Sequence, residues 1–277
     1  MVLLANILSW HGIGLLAIPA FPFWVLFGPV RAAQDAPRPK AGRAPVVQAL
    51  VPTAPRLAPR HEAAVAPEKP AAGHGKSTLP AVIRHGDPHA RIVMLTFDDG
   101  PHPHYTPRLL AVLRKYNVKA TFFVVGKMAE KYPELIRAIA ADGHLIANHT
   151  YDHSRMIRFS DHIDEVELRD CSQVIQSITG RRPLFFRPPG GRYDRRMVAV
   201  ASGQGLRVVS YTVNTFDTID MNPRTIAARV IRDVRGGGIV LCHDGFQRTI
   251  DALPHIIKGL QKKGYAFGTV AGGIGLR

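Results

Sequence analysis

The chain has 277 residues, enough for one or two domains, and 46% of them are hydrophobic, which excludes a wholly disordered polypeptide. Lys and Arg number 36 against 21 Asp and Glu, a formal charge of +15 that favours anionic surroundings without choosing among acidic polymers, membranes and nucleic acid. Two cysteines, Cys171 and Cys242, exclude a disulfide scaffold or a Cys-rich zinc site, so a bound metal would need His and carboxylate ligands.

Residues 2–30 contain no Asp, Glu, Lys or Arg and are long enough to cross a bilayer. No basic residue precedes this run, Pro19, Pro22 and Pro29 interrupt it, and Val30-Arg31-Ala32 is a poor small-residue cleavage site. Arg31, Arg38, Lys40 and Arg43 follow it, which a positive-inside count reads as a cytoplasmic C-terminal side. The expectation drawn from its length and apolarity is export or membrane anchoring, with 1–30 as a hydrophobic signal or anchor segment. Residues 31–80 are rich in Ala, Pro and Arg and poor in large apolar side chains, so they read as a disordered linker, carrying +5 of the charge. The remaining +10 belongs to a folded region, 81–277. No nucleic-acid-binding module accompanies the charge, so no nucleic-acid partner is expected. No heptad or other assembly signal is present, and a monomer is expected.

Beyond residue 80, short apolar runs alternate with amphipathic ones. Strands are predicted near 91–97, 120–125, 144–148, 184–187, 207–213, 238–242 and 265–270, with helices near 106–116, 128–141, 161–178, 195–204, 223–235 and 248–263. Gly143, Gly180 and Gly264 stand where helices end. Repeated strand–helix–strand order means parallel pairing with right-handed crossovers, hence a barrel or a doubly wound sheet. In either, active groups gather at the C-terminal ends of strands.

The first long strand ends in Thr96-Phe97-Asp98-Asp99-Gly100-Pro101. Two adjacent carboxylates in such a turn can serve one site, one binding a cation and the other free to take a proton; the plainer reading is a solvated Asp-Gly-Pro turn. The third strand ends in His149-Thr150-Tyr151-Asp152-His153, where two imidazoles four residues apart converge on one ion if the chain makes a helical turn. With one carboxylate they make three ligands and leave positions open for water, as in a catalytic metal site. The fourth strand leads into Arg187-Pro188-Pro189-Gly190-Gly191, whose glycines let backbone N–H groups approach an oxyanion while Arg187 pairs with a carboxylate. The fifth opens into Asp217-Thr218-Ile219-Asp220, and the sixth ends Leu241-Cys242-His243-Asp244. A histidine there acts as general acid when a carboxylate fixes its tautomer and raises its pKa, whereas Cys242, inside an apolar run, reads as core.

In this order the motifs TFDDGP (96–101), HTYDH (149–153), RPPGG (187–191), DTID (217–220) and LCH (241–243) resemble those of the polysaccharide deacetylases, the NodB-homology family or carbohydrate esterase family four. The resemblance spans about residues 91–270. It implies a distorted (β/α) barrel of about seven parallel strands with a divalent metal, zinc first and cobalt or nickel as alternatives, in a groove at the strand ends. By the same resemblance Asp99, His149 and His153 are metal ligands, Asp98 the catalytic base, Arg187 its support, Asp220 the carboxylate that tunes the catalytic His243, and Leu241 part of the pocket for the acetyl methyl. Two positions depart from the family pattern. Gly190 stands where a tyrosine is common, keeping the oxyanion N–H without a groove wall, and Met221 replaces the tryptophan that commonly follows the fourth-motif aspartate. The implied activity is metal-dependent removal of N-acetyl groups from N-acetylglucosamine residues of a polysaccharide (peptidoglycan, chitin oligomers or an exopolysaccharide) in the cell envelope, outside the cytoplasm, by a secreted or membrane-anchored enzyme. An O-acetyl esterase acting on xylan or a similar glycan, and an inactive envelope glycan-binding protein, are the alternatives.

Overall fold

The computed structural model describes residues 80–155, 160–219 and 222–276. The expected anchor segment at 1–30 and all but the last residue of the expected linker at 31–80 lie outside them. Among the described residues no helix is long and apolar enough to cross a membrane.

In chain order the elements are β1 (Val82–Ile83), β2 (Ile92–Asp98), α1 (Thr106–Lys115), β3 (Thr121–Val124), α2 (Gly126–Lys131), α3 (Pro133–Ala141), β4 (Leu145–Asn148), α4 (Asp161–Thr179), β5 (Phe185–Phe186), α5 (Arg195–Gly203), β6 (Arg207–Val209), β7 (Val213–Asn214), α6 (Pro223–Asp233), β8 (Gly238–His243), α7 (Gln247–Lys262), β9 (Ala266–Gly268) and α8 (Val270–Gly273). The strand–helix alternation is as the sequence predicts, with four differences. Strand β1 is only two residues long, too short for any periodicity. The helix predicted at 128–141 is two, because Pro133 starts a new helix after Tyr132 leaves helical geometry (φ −130°, ψ 59°). The strand predicted at 207–213 is interrupted at residues 210–212. The last predicted strand stops at Gly268, because Thr269 caps α8 through a hydrogen bond from the Gly272 N–H.

All strand pairs are parallel, in the order β1-β6-β5-β4-β3-β2-β8-β7, with β9 pairing the first half of β2. Strands β6 and β7 are six places apart in this order, about 29 Å across a flat sheet at ~4.8 Å per strand. Only residues 210–212 connect them, a reach of about 14 Å from Val209 to Val213. The sheet therefore curls into a half-closed barrel.

Alternation along the strands divides their side chains between two layers. Val93, Leu95, Phe97, Phe122, Val124, Val240 and Cys242 pack under the helices with Leu109, Leu113, Ile136, Val230 and Ile257. Met94, Phe123, Ala147, Phe185, Val209 and Ile239 fill the barrel interior. Cys242 is thus core, as the sequence predicts.

Candidate active site

The same alternation carries the interior rows beyond their apolar residues at the C-terminal end. After Met94 come Thr96 and Asp98, after Ile239 come Leu241 and His243, after Ala147 comes His149, and after Phe185 comes Arg187. Strands β2 and β8 are paired so that Asp98 lies opposite His243 and Thr96 opposite Leu241. Leu241 is buried on the same face of β8 as His243, two residues before it.

Arg187 is 1% exposed and crosses the barrel. Its guanidinium donates to Asp98 Oδ1 (2.8 Å), Thr96 Oγ1 (2.7 Å) and the carbonyls of Val209 (3.3 Å) and Ser210 (3.1 Å), and stacks on the Phe123 ring at 4.1 Å. A buried charge pair is tolerated only when its remaining hydrogen bonds are met, and these contacts meet them. One oxygen of Asp98 is thereby fixed. The other, Oδ2, lies 3.9 Å from His149 Nε2.

Consecutive strand residues face opposite ways, so Asp98 and Asp99 cannot both face the interior in regular β geometry. Asp99 takes a left-handed conformation (φ 75°), and its carboxylate turns back to the same site. There its Oδ1 is 3.3 Å from His149 Nε2 and 3.0 Å from His153 Nε2. Ligand atoms of Asp99, His149 and His153 all lie within 4.8 Å of one another. The chain joining the two histidines makes no helical turn. Left-handed residues at Thr150 (φ 66°) and His153 (φ 62°) bring the rings together, and Asn148 Oδ1 and Glu167 Oε2 accept the N–H groups of Thr150, Tyr151 and Asp152. His149 is buried, and its Nδ1–H donates to the Arg187 carbonyl (2.7 Å), which fixes the ring from behind and turns Nε2 toward Asp99 and the cluster. One carboxylate and two imidazoles, with one ring fixed from behind, fit a divalent ion of the zinc, cobalt or nickel type.

Burial opposes ionisation of Asp99, but hydrogen bonds to His149 and His153 outweigh it and hold the carboxyl well below the usual carboxylate range. Contact with Asp99 in turn raises His153, against its own burial.

On the other side of the site, His243 Nδ1–H donates to Asp217 Oδ1 (2.7 Å). Asp217 Oδ2 accepts from the His243 backbone N–H (2.8 Å) and from Thr249 Oγ1 (2.7 Å), and the residue is fully buried. Burial alone would lower the His243 pKa, but the Asp217 bond and the charges of Asp98 and Asp99 carry it above the ordinary value.

A family model for polysaccharide deacetylases matches residues 85–209. Two peptidoglycan-N-acetylglucosamine deacetylases of Bacillus cereus are 36% and 35% identical over 186 and 182 residues, covering 65% and 64% of this chain and 87% and 66% of their own. The chain belongs to the polysaccharide deacetylase family. Within that family, a chitooligosaccharide deacetylase of Azorhizobium caulinodans is 32% identical over 189 residues, 63% of this chain and 90% of its own. Among solved structures, a peptidoglycan N-acetylglucosamine deacetylase bound to an N-hydroxybenzamide superposes with a TM-score of 0.69 at 32% identity, over 71% of this chain and 94% of that one. A Bacillus anthracis protein described as a family pseudoenzyme superposes with a TM-score of 0.68 at 30% identity, over 71% and 69%.

The carboxylate seen on the His243 ring is Asp217, which accepts from both Nδ1–H and the backbone N–H of His243; the family motif assigns that part to Asp220. Asp220 and Met221 lie outside the described residues. Gly190 and Gly191 are both left-handed (φ 76° and 71°), and the Gly191 N–H is used within the turn, donating to Pro188 O. Arg155 Nε lies 3.9 Å from where a Cβ on Gly190 would stand. Asp244, to which the sequence pattern assigns no role, is buried against Gly100. Its Oδ2 accepts from Thr106 Oγ1 (2.5 Å), its backbone N–H donates to Asp98 O (2.8 Å), and burial pushes its carboxyl up to about 7. Its position directly after His243 is the signal that could have found it.

Proposed function

We propose that the protein hydrolyses N-acetyl groups of N-acetylglucosamine residues in an envelope polysaccharide outside the cytoplasm, releasing acetate and a free amine. The observation that carries this reading is the facing pair of Asp98 and His243 across β2 and β8, each locked by its own partner, beside the Asp99–His149–His153 cluster. A divalent ion held by those three residues, zinc first, supplies polarisation of the acetyl carbonyl and a lowered pKa for bound water.

The rest of the chemistry belongs to the chain. Arg187 holds one oxygen of Asp98 by a hydrogen bond and leaves the second turned toward the ligand cluster, where it takes the proton of the attacking water. As water oxygen bonds to the carbonyl carbon, the Gly190 N–H donates to the developing oxyanion. Leu241 gives the methyl an apolar seat. When the C–N bond breaks, His243, held protonated by Asp217, donates its Nε2 proton to the departing amine. Acetate and the amine are the products; Asp98 then gives its proton up to solvent and His243 recovers one, which restores the starting state.

The test is acetate release by Asp98→Asn. The variant retains shape but accepts no proton, and kcat is expected to fall by about 10²–10⁴-fold. Release at the parental rate contradicts the base assignment. Measuring N-acetylglucosamine oligomers beside acetylated xylan separates amide from ester specificity, because an alkoxide leaves more easily than an amine and the same residues serve both bonds.

A further inference from the structure

A cavity of about 460 Å3 opens beside His243 among the start of α1, the start of α6 and the β8–α7 loop. Tyr105, Asn222, Gly245, Phe246, Arg248 and Asp251 are in its wall. The Phe246 ring stands edge-on to His243, with centroids 6.4 Å apart and planes at 86°, so the cavity adjoins the group that faces the leaving amine.

Arg248 is held in two ways. Its guanidinium stacks on Phe246 at 4.6 Å, and its Nε–H donates to the backbone carbonyl of Asp217, the residue that also grips His243. Among the described residues no carboxylate pairs with it. The acid in the same wall, Asp251, instead accepts from Gln247 Nε2 (2.7 Å). A guanidinium held at Nε and by its stack thus lines a cavity large enough for a sugar substituent, its terminal nitrogens without a carboxylate partner among the described residues, and a planar fork of donors matches a carboxylate. A neutral polymer would leave that charge unanswered.

We propose that this cavity is a subsite for a carboxylate carried by the polymer next to the acetylated sugar, and that Arg248 sets preference for acidic over neutral glycans. The proposal rests on the reading that the groove takes an N-acetylated polymer. The carboxylate belongs either to the neighbouring sugar itself or to a peptide attached to it; the chemistry recognised is the same.

Binding, rather than turnover, tests it. Affinity of the full-length protein is measured for an N-acetylglucosamine–N-acetylmuramic acid tetrasaccharide, the same oligomer with its carboxyls reduced to alcohols, and a peptide-bearing form. The wild type is expected to bind a carboxylate-bearing form about tenfold more tightly than the reduced one. Preference for the peptide-free oligomer assigns the carboxylate to the sugar, and preference only for the peptide-bearing form assigns it to the peptide. Arg248→Met, which keeps the stacked stem, is expected to abolish the preference, and Arg248→Lys, which keeps the charge without the fork, to retain part of it. Equal wild-type binding of all three oligomers, or an undiminished preference in Arg248→Met, overturns the proposal. Acetate release measured in parallel keeps the two readings apart: preference without release counts against the deacetylase reading, and release without preference against the subsite alone.

Discussion

Asp217 grips His243 at both the ring Nδ1 and the backbone N–H, and this double contact decides the pH range in which His243 can give up a proton. The carboxylate raises the imidazole pKa, so the protonated acid persists to higher pH than a free histidine would allow. Catalysis that needs this proton fails as pH rises through the raised value. Asp217→Asn removes the charge, so the alkaline limb of kcat/KM is expected to move to lower pH and kcat to drop by about 10²-fold. An unmoved limb would place the essential acid elsewhere. Asp244 offers a test through stability instead. Its folded-state pKa of about 7 lies above the ordinary value near 3.8, so the folded protein keeps a proton that the unfolded chain has released. Stability from this group is present below about pH 4 and is lost as pH rises toward 7. Asn at 244 can still accept from Thr106 and never ionises. The melting temperature of Asp244→Asn minus that of wild type should therefore grow between pH 4.5 and 8, by about 2–4 °C for each kcal/mol recovered. A difference independent of pH would mean that Asp244 is not the titrating group.

At the scale of elements, the histidine cluster depends on a helix that contributes none of its side chains. The first N–H groups of α2, from Gly126 and Lys127, donate to the carbonyls of Thr150 and Tyr151, and so tie down the chain between the two histidines. Gly126 also has no room for a side chain. A Cβ there would meet the Tyr151 ring at 2.7 Å and the Cα atoms of Tyr151 and Cys171 at 3.0 Å. Gly126→Ala must push α2 away from the turn and from α4, at a cost of about 1–3 kcal/mol. Thermal unfolding should register that loss, and dialysis against zinc should register weaker retention in the variant. Unchanged values for both would show that the turn holds its shape without α2. Such support was not legible in the sequence, where 128–141 reads as one amphipathic run. The long elements were legible, because β2, β8, α4 and α7 each carry enough residues for a period to emerge. Strand β1, with two residues, carries none and is defined only by its pairing with β6, whereas the equally short β5 was legible as the apolar run 184–187.

For the molecule as a whole, curling of the parallel sheet turns one interior row per strand into one site. Parity along the sequence already placed Asp98, His149, Arg187, Leu241 and His243 at strand ends. It could not foretell the left-handed turn that brings Asp99 in beside Asp98, nor the contact of Asp217 with His243. That contact follows from strand pairing: with Asn214 opposite Leu241, Asp217 comes within reach of His243. The proposed metal-dependent amide hydrolysis is tested most directly by acetate release from an N-acetylglucosamine tetramer by the full-length protein, before chelation, after chelation, and after zinc or cobalt is restored. The account predicts release that chelation abolishes and the metal restores. Release indifferent to the chelator, or none from folded and metal-loaded protein, would contradict it.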